Sequence, residues 1–207
     1  MPIDASTIRS AEKHLSRKDQ ALAALIRRHG PCTLGAKKRD PFHTLATSII
    51  SQQLSSKAAD TIASRVETLV GSRGRLKPEH LRKATQEQLR GCGLSNSKAK
   101  WLLAIAQTTH SGALSFRSLA SMSEADAVKT LDALPGVGQW TAEMFLIFAL
   151  DKLDIFSMGD VGLRRAVNRL YNGGRKLSDR RTQELAERWA PYRSVASWYL
   201  WRMTDGD

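Results

Sequence analysis

The stretch LPGVGQWTA at residues 134–142 constrains the fold more strongly than any other part of this chain. Upstream, Ser123-Glu-Ala-Asp126 has the pattern of a capping box, which begins a helix, and Pro135-Gly136 is a stop signal for that helix. The apolar run from Met144 to Leu150 predicts a second helix almost immediately afterwards. The chain is therefore expected to contain two helices joined by a tight glycine turn.

This glycine turn is a candidate anion site. Gly136 and Gly138 have no Cβ, so successive backbone amides at the start of the second helix can approach an anion closely. The helix dipole favours negative charge at the same place, and a DNA phosphate would suit it. A Pro-Gly-x-Gly sequence is also a common turn between helices that bind no ligand. The pattern alone therefore leaves a purely structural turn open.

A second motif follows the hairpin. Asp160 precedes VGLRRAVNRL at residues 161–170, whose apolar residues recur on one face of a helix. Asp160 is therefore predicted to cap this helix, and Arg164, one turn later, is a candidate partner for its carboxylate. From spacing alone, capping and a chemical role for Asp160 both remain open.

Composition bounds the class of protein. The chain has 207 residues, of which 42% are hydrophobic, and this length and content are enough for a core. The formal net charge of +12 favours a polyanionic partner, nucleic acid before a membrane surface. No apolar stretch approaches the ~20 residues that a membrane span needs, and the N-terminus lacks the apolar segment of a signal peptide. We therefore expect an intracellular protein that does not associate with membranes.

Cysteine and histidine usage argues against a metal centre. Cys32 and Cys92 are expected to remain thiols, because a two-cysteine chain in a reducing compartment rarely forms a disulfide. The five histidines are scattered, and neither a His-x-x-x-His nor a Cys-x-x-Cys pair occurs. Ligand sets for zinc or an iron–sulfur cluster are therefore not expected.

Taken together, residues 134–142 and DVGLRR at 160–165 resemble the helix-hairpin-helix and catalytic aspartate of the base-excision DNA glycosylase superfamily. The branch most similar to this chain is the alkylpurine group, of the 3-methyladenine DNA glycosylase II type, in a short form without that enzyme's N-terminal domain. The endonuclease III branch shares the hairpin but usually carries a C-terminal four-cysteine cluster. Here no cysteine follows Cys92.

The resemblance implies an all-α fold with two helical subdomains flanking a cleft that holds Asp160. A six-helix subdomain is expected at residues 36–152, with the helix-hairpin-helix at about 123–150. Residues 1–35 and 153–207, from the two chain ends, would form the second subdomain. A monomer is expected.

The same resemblance assigns roles near the reacting base. Asp160 is the expected catalytic carboxylate, and Trp140, Met144 and Trp201 are expected to line the pocket for the base. Met144 stands where the longer enzyme has an aromatic residue. Trp140 occupies the position of the Schiff-base lysine in bifunctional relatives, so strand cleavage by a lysine amine is not expected.

The polar run SQQLSSK at residues 51–57 interrupts an apolar helical stripe that begins near Pro41, and such a break predicts a surface turn. In the family this segment carries the side chain that fills the space left by the extruded base. The resemblance makes Gln53 the first candidate and Leu54 the alternative. Two exposed glutamines beside a turn are the structural alternative.

Further DNA contacts are implied by similar turns. Ser97 and Lys98 lie in a Gly-Leu-x-x-x-Lys-Ala segment that meets the DNA backbone in glycosylases, and they are expected to hold a phosphate. At the hairpin, the expected DNA contacts are Gly136, Gly138 and Thr141. Family members often hold a monovalent cation on hairpin carbonyls, which by position are those of Leu134 and Val137.

The function implied is hydrolysis of the N-glycosidic bond of alkylated purines, of the 3-methyladenine and 7-methylguanine type, in double-stranded DNA by base flipping. The product would be an abasic site, and no organic cofactor is expected. Such an enzyme would work in a bacterial cytoplasm beside the nucleoid, or in a nucleus. Two alternatives stay open: a DNA-binding module without activity, and a glycosylase of the same fold for oxidised or mismatched bases.

Overall fold

The computed structural model describes residues 3–204, and this part of the chain consists of α-helices, turns and loops without a β-strand. It divides into two compact units. We call Arg39–Phe145 the central unit, and Met1–Lys38 together with Leu146–Asp207 the terminal unit. The prediction of an all-α protein is confirmed.

The terminal unit takes its helices from both ends of the chain. They are α1 (Ala5–Lys18), α2 (Gln20–His29), α11 (Val161–Asn172), α12 (Asp179–Glu187) and α13 (Arg193–Thr204). Helix α13 packs against α1, α2 and α11. Pro191 lies between α12 and α13.

Asp19 ties the terminal unit together. Its Oδ1 accepts the N–H groups of Ala21 and Leu22 at the start of α2, and its Oδ2 accepts the Tyr171 hydroxyl at 2.9 Å and the Trp189 indole N–H at 3.1 Å. A buried carboxylate is stable only when donors satisfy its oxygens, and these four donors do so. Burial, followed by the neighbouring Asp19 charge, raises the pKa of Tyr171, so its hydroxyl keeps the proton that it donates.

The central unit is built from seven complete helices and the first part of an eighth. They are α3 (Pro41–Ser51), α4 (Ser56–Leu69), α5 (Pro78–Leu81), α6 (Gln86–Gly91), α7 (Asn96–His110), α8 (Phe116–Ser121), α9 (Glu124–Asp132) and α10 (Gln139–Ala149). Helix α7 packs against α3, α5 and α6. The resemblance implies a six-helix subdomain at residues 36–152. The short helices α5, α6 and α8 have only four to six residues, which is too few to show a helical period in the sequence.

The expected helix boundaries around the polar run are confirmed. Asp40 caps α3 by accepting the N–H of His43 at 2.8 Å, with Pro41 in the first turn. Helix α3 ends at Ser51 and α4 begins at Ser56, so a turn does interrupt the apolar stripe. Five apolar residues of α3 are buried: Phe42, Leu45, Ala46, Ile49 and Ile50.

Cys32 and Cys92 are both buried, and their thiols are free. Burial raises the pKa of the Cys32 thiol to about 12. Within residues 3–204, no group of three or more His, Cys, Asp or Glu side chains is placed to hold a metal ion. None of the helices in the same range is both long and apolar enough to span a bilayer.

Candidate functional site

The glycine turn between α9 and α10 has the predicted helix-hairpin-helix form. Ser123 caps α9: its Oγ accepts the Asp126 N–H at 3.2 Å and donates to the Asp126 carboxylate at 2.7 Å. The turn is closed by the Leu134 N–H, which donates to the Leu131 carbonyl at 2.9 Å. The Val137 N–H then donates to the Leu134 carbonyl at 3.1 Å, so a cation at that carbonyl would share it with this hydrogen bond.

Gly136 and Gly138 have different surroundings. Gly136 has a φ of +79°, in the left-handed region, and a Cβ placed on it would lie 2.3 Å from Cε3 of Trp101. Only glycine fits there, because both the backbone angle and the Trp101 ring exclude a side chain. A Cβ on Gly138 would meet no atom within 4 Å. Gly138 is therefore the glycine that leaves the start of α10 open to a ligand.

The first turn of α10 presents part of the predicted set to solvent. Gly138 is exposed and Trp140 is 50% exposed. Thr141 is only 8% exposed, so little of its surface is available for a contact with DNA. Met144 lies one turn after Trp140 on the same face of α10 and is partly buried. The roles assigned to these residues stay predictions.

Asp160 is the N-cap of α11, as the sequence predicted. Its Oδ1 accepts the Leu163 N–H at 2.7 Å and the Trp201 indole N–H at 3.2 Å, and the residue is 8% exposed. Two donors on one oxygen fix the orientation of this carboxylate. Arg164, the candidate partner, instead forms an ion pair with Asp179 at 2.5 Å.

An aromatic pair stands beside this carboxylate in the terminal unit. The Trp201 ring packs on Phe148, with centroids 5.6 Å apart and an interplanar angle of 33°. A Cβ on Gly162 would lie 3.2 Å from Oδ1 of Asp160 and 3.6 Å from Cδ1 of Trp201. Glycine at position 162 therefore keeps the space between the indole and the start of α11 open. The structure thus brings Trp201 to Asp160, and it adds Phe148, which sequence reasoning missed.

Trp201→Phe tests the indole hydrogen bond. Phenylalanine keeps an aromatic ring against Phe148 but removes the N–H that orients Asp160. Loss of a charge-assisted hydrogen bond that orients a reacting group is expected to lower the reaction rate by roughly tenfold. For the glycosylase activity that the resemblance implies, we expect single-turnover base release from methylated duplex DNA to fall by about that factor, with DNA affinity within about twofold. Trp198→Phe, the same change on the same helix, is the control and should leave both unchanged.

The first five residues of the polar run, 51–55, which we call the wedge turn, carry Gln53 and Leu54 at the surface. Gln53 has a φ of +59°, and a left-handed conformation in a residue other than glycine costs on the order of 1 kcal/mol. Leu54 is 39% exposed, which is unusual for a large apolar side chain. Both candidates for the intercalating side chain are therefore exposed, and one of them is held in a strained conformation.

Ser97 and Lys98 lie at the start of α7, where the sequence predicted a phosphate contact. Ser97 is exposed. The Lys98 ammonium donates to the carbonyl of Ile50 at 2.8 Å and to that of Gln52 at 2.5 Å, so two of its three N–H groups are used within the protein. Partial burial lowers the pKa of Lys98. The wedge turn is also held by Gln52, whose Nε2 donates to the Gly136 carbonyl at 2.9 Å.

The fold and these side chains define a class: all-helical proteins in which a glycine hairpin is followed by an aspartate at a helix cap. Residues 46–191 match the family model described as HhH-GPD superfamily base excision DNA repair protein. The chain belongs to this superfamily.

Relatives of this chain share most of its length. It is 30% identical to the alkylbase DNA glycosidase-like protein mag2 of Schizosaccharomyces pombe, over 96% of this chain and 94% of that protein. A crystal structure of DNA-3-methyladenine glycosidase from Bacillus halodurans superposes with a TM-score of 0.85 and 40% identity, covering 93% and 88% of the two chains. The S. pombe 3-methyladenine DNA glycosylase Mag1, solved with abasic DNA, gives a TM-score of 0.75 and 30% identity over 95% and 97%.

Proposed function

We propose that this chain is a monofunctional DNA glycosylase that hydrolyses the N-glycosidic bond of alkylated purines, of the 3-methyladenine and 7-methylguanine type, in double-stranded DNA. The observation that carries the proposal is the oriented Asp160 carboxylate beside Trp201, in a chain of a base-excision superfamily. The names of its relatives support alkylated bases as the substrate class.

The reaction first requires the nucleotide to leave the duplex, because a stacked base cannot reach a carboxylate in the protein. Unstacking and unpairing cost a few kcal/mol. Insertion of Gln53 or Leu54 into the vacated space would offset part of this cost, and the Gln53 amide can hydrogen-bond the base left without a partner. The amides at Gly138 would hold a backbone phosphate at the positive end of α10.

The bond then breaks with both electrons moving to the purine. N3- or N7-alkylation gives the purine a positive charge, which those electrons neutralise, so the damaged base is a good leaving group. The sugar becomes an oxocarbenium-like cation, which a fixed carboxylate stabilises more than it stabilises the neutral ground state. Water adds at C1′ and loses a proton, leaving an abasic site. Asp160 is the proposed carboxylate, whether it acts by charge alone or also orients the water.

The proposed pocket selects charged bases through aromatic faces. An indole attracts a cationic ring more than a neutral one, by cation–π interaction. Trp140, Met144 and Trp201 are the proposed contacts of the flipped base. Leu134 and Val137 stay proposed carbonyl ligands of a monovalent cation. We propose further that the protein acts as a monomer in the compartment that contains the DNA.

The function is tested by incubating the protein with methylated duplex DNA and separating the released bases by chromatography. We expect 3-methyladenine and 7-methylguanine to appear, and strand breaks only after the abasic sites are cleaved by alkali. Duplex binding without release would support the DNA-binding module instead. The second alternative, a glycosylase of the same fold for other lesions, is tested with a panel of duplexes that each contain one alkylated, oxidised or mismatched base. Preferential release of oxidised or mismatched bases would support that alternative.

A further inference from the structure

The wedge turn and the hairpin turn are both attached to helix α7. Lys98 and Trp101 are three residues apart on this helix and therefore project from neighbouring positions on one side of it. Lys98 donates to two carbonyls at the end of α3, where the wedge turn begins. The Trp101 ring lies so close to Gly136 that a Cβ there would clash with it. One helix thus contacts both turns to which DNA contacts were assigned.

The Lys98 contacts are those expected of an anchor. The last carbonyls of a helix have no partner within the helix, and they carry the negative end of its dipole. The ammonium satisfies two carbonyls at this end of α3, those of Ile50 and Gln52. An ammonium committed to backbone carbonyls is poorly placed to serve as a mobile phosphate ligand. Lys98 is also partly buried, which lowers its pKa, and this burial is consistent with a contact inside the protein.

Gln52 closes the set of contacts. Its backbone carbonyl accepts from Lys98, and its side-chain amide donates to the carbonyl of Gly136 in the hairpin turn. The next residue, Gln53, has a left-handed backbone, which persists only where the surroundings determine it. The contacts run from Lys98 through Gln52 and Gly136 to Trp101, and they fix the turn on which Gln53 stands.

We propose that Lys98 and Gln52 are positioning residues that hold the wedge turn in register with the hairpin turn. A side chain can then enter the duplex at a set distance from the phosphate that the hairpin holds. This inference rests on the proposed function, and it replaces a phosphate contact for Lys98 with a contact inside the protein. It predicts that loss of either link impairs base flipping more than it impairs the chemical step.

The test compares two duplexes that differ only in how easily the lesion leaves the stack. One has 7-methylguanine opposite cytosine, and the other has it opposite an abasic site, where unpairing costs less. For Lys98→Met we expect single-turnover base release to fall roughly tenfold on the paired duplex and no more than about twofold on the other. Lys98→Arg should restore part of the rate. Lys100→Met, an exposed lysine on the same helix, is the matched control and should change neither rate.

A second readout does not depend on catalysis. A 2-aminopurine placed beside the lesion reports unstacking as a fluorescence increase when the protein binds. We expect a smaller increase with Lys98→Met and with Gln52→Leu than with the wild-type protein. Both residues hold the same turn, so their effects should not add. The double variant should therefore give about the same fluorescence increase as the more impaired single variant, and not a still smaller one.

Several results would overturn the inference. Equal rate losses of Lys98→Met on the two duplexes would mean that Lys98 acts in the chemical step or in stabilising the fold. Additional loss of the fluorescence increase in the double variant would mean that Lys98 and Gln52 act independently. A uniform loss of affinity, with the salt dependence reduced by about one counterion, would make Lys98 a phosphate ligand. If the wild-type protein releases no base but still raises the fluorescence, the proposed function fails and the positioning role stands; if it does neither, both fail.

Discussion

Asp160→Asn should lower the single-turnover rate of base release by at least ~10²-fold, the size of effect seen when a preorganised electrostatic group is removed from an active site. Asparagine keeps an oxygen that can accept from the Leu163 N–H and from the Trp201 indole, and it is a good N-cap. The negative charge is lost, and the second carboxylate oxygen becomes an NH2 group. The effect should therefore appear in the chemical step, with the fold and DNA binding retained.

Asp4→Asn is the matched control for this prediction. Asp4 caps α1 as Asp160 caps α11, accepting the Thr7 N–H at 2.7 Å. The same chemical change at Asp4 should leave base release unchanged. Thermal unfolding should show Asp160→Asn within about 1 kcal/mol of the wild-type protein. A full rate of release by Asp160→Asn would refute the catalytic assignment and would favour a capping role alone.

Gly136→Ala should destabilise the protein by about 2–4 kcal/mol, because the new Cβ meets the Trp101 ring and the left-handed backbone angle disfavours alanine. We expect a lower urea midpoint with an unchanged slope of the unfolding transition. Displacement of the hairpin should also weaken binding to duplex DNA. The largest part of this effect comes from packing within the central unit.

Gly138→Ala provides the comparison, since a Cβ at Gly138 has open space around it. Its stability should stay within about 1 kcal/mol of the wild-type value. If amides at Gly138 approach a phosphate, alanine there should weaken DNA binding without loss of stability. Equal stability of the two variants would show that Trp101 gives way easily, and that Gly136 is not required for packing.

The local features of this protein could be predicted from its sequence. The Ser123 cap, the glycine turn and the capping position of Asp160 depend on residues a few positions apart, where helix periodicity and capping preferences are reliable. The turn after Ser51 was predicted in the same way, from a polar run between apolar stripes. These patterns alone place the candidate carboxylate at the start of a helix.

The contacts that Lys98, Gln52 and Trp101 make with distant residues could not be predicted. Lys98 binds carbonyls 46 and 48 positions earlier in the chain, and Gln52 reaches a carbonyl 84 positions later. No periodicity links such positions, and by resemblance alone Lys98 is predicted to hold a phosphate. The contact of Trp101 with Gly136 could not be predicted for the same reason. A tryptophan in an amphipathic helix gives no indication of which turn its ring will pack against. The near-complete burial of Thr141 likewise depends on packing of the whole unit.

The order of synthesis determines when the Asp160 carboxylate can become oriented, because the chain is made from its N-terminus. Helix α2 ends at His29 and α13 begins at Arg193, so 193 − 29 = 164 positions separate two helices that pack together. The hairpin is complete by residue 149, but the indole that orients Asp160 is synthesised only in the last turns of α13. A nascent chain that stalls before Trp201 would therefore carry the elements expected to grip DNA without the residue that orients the carboxylate.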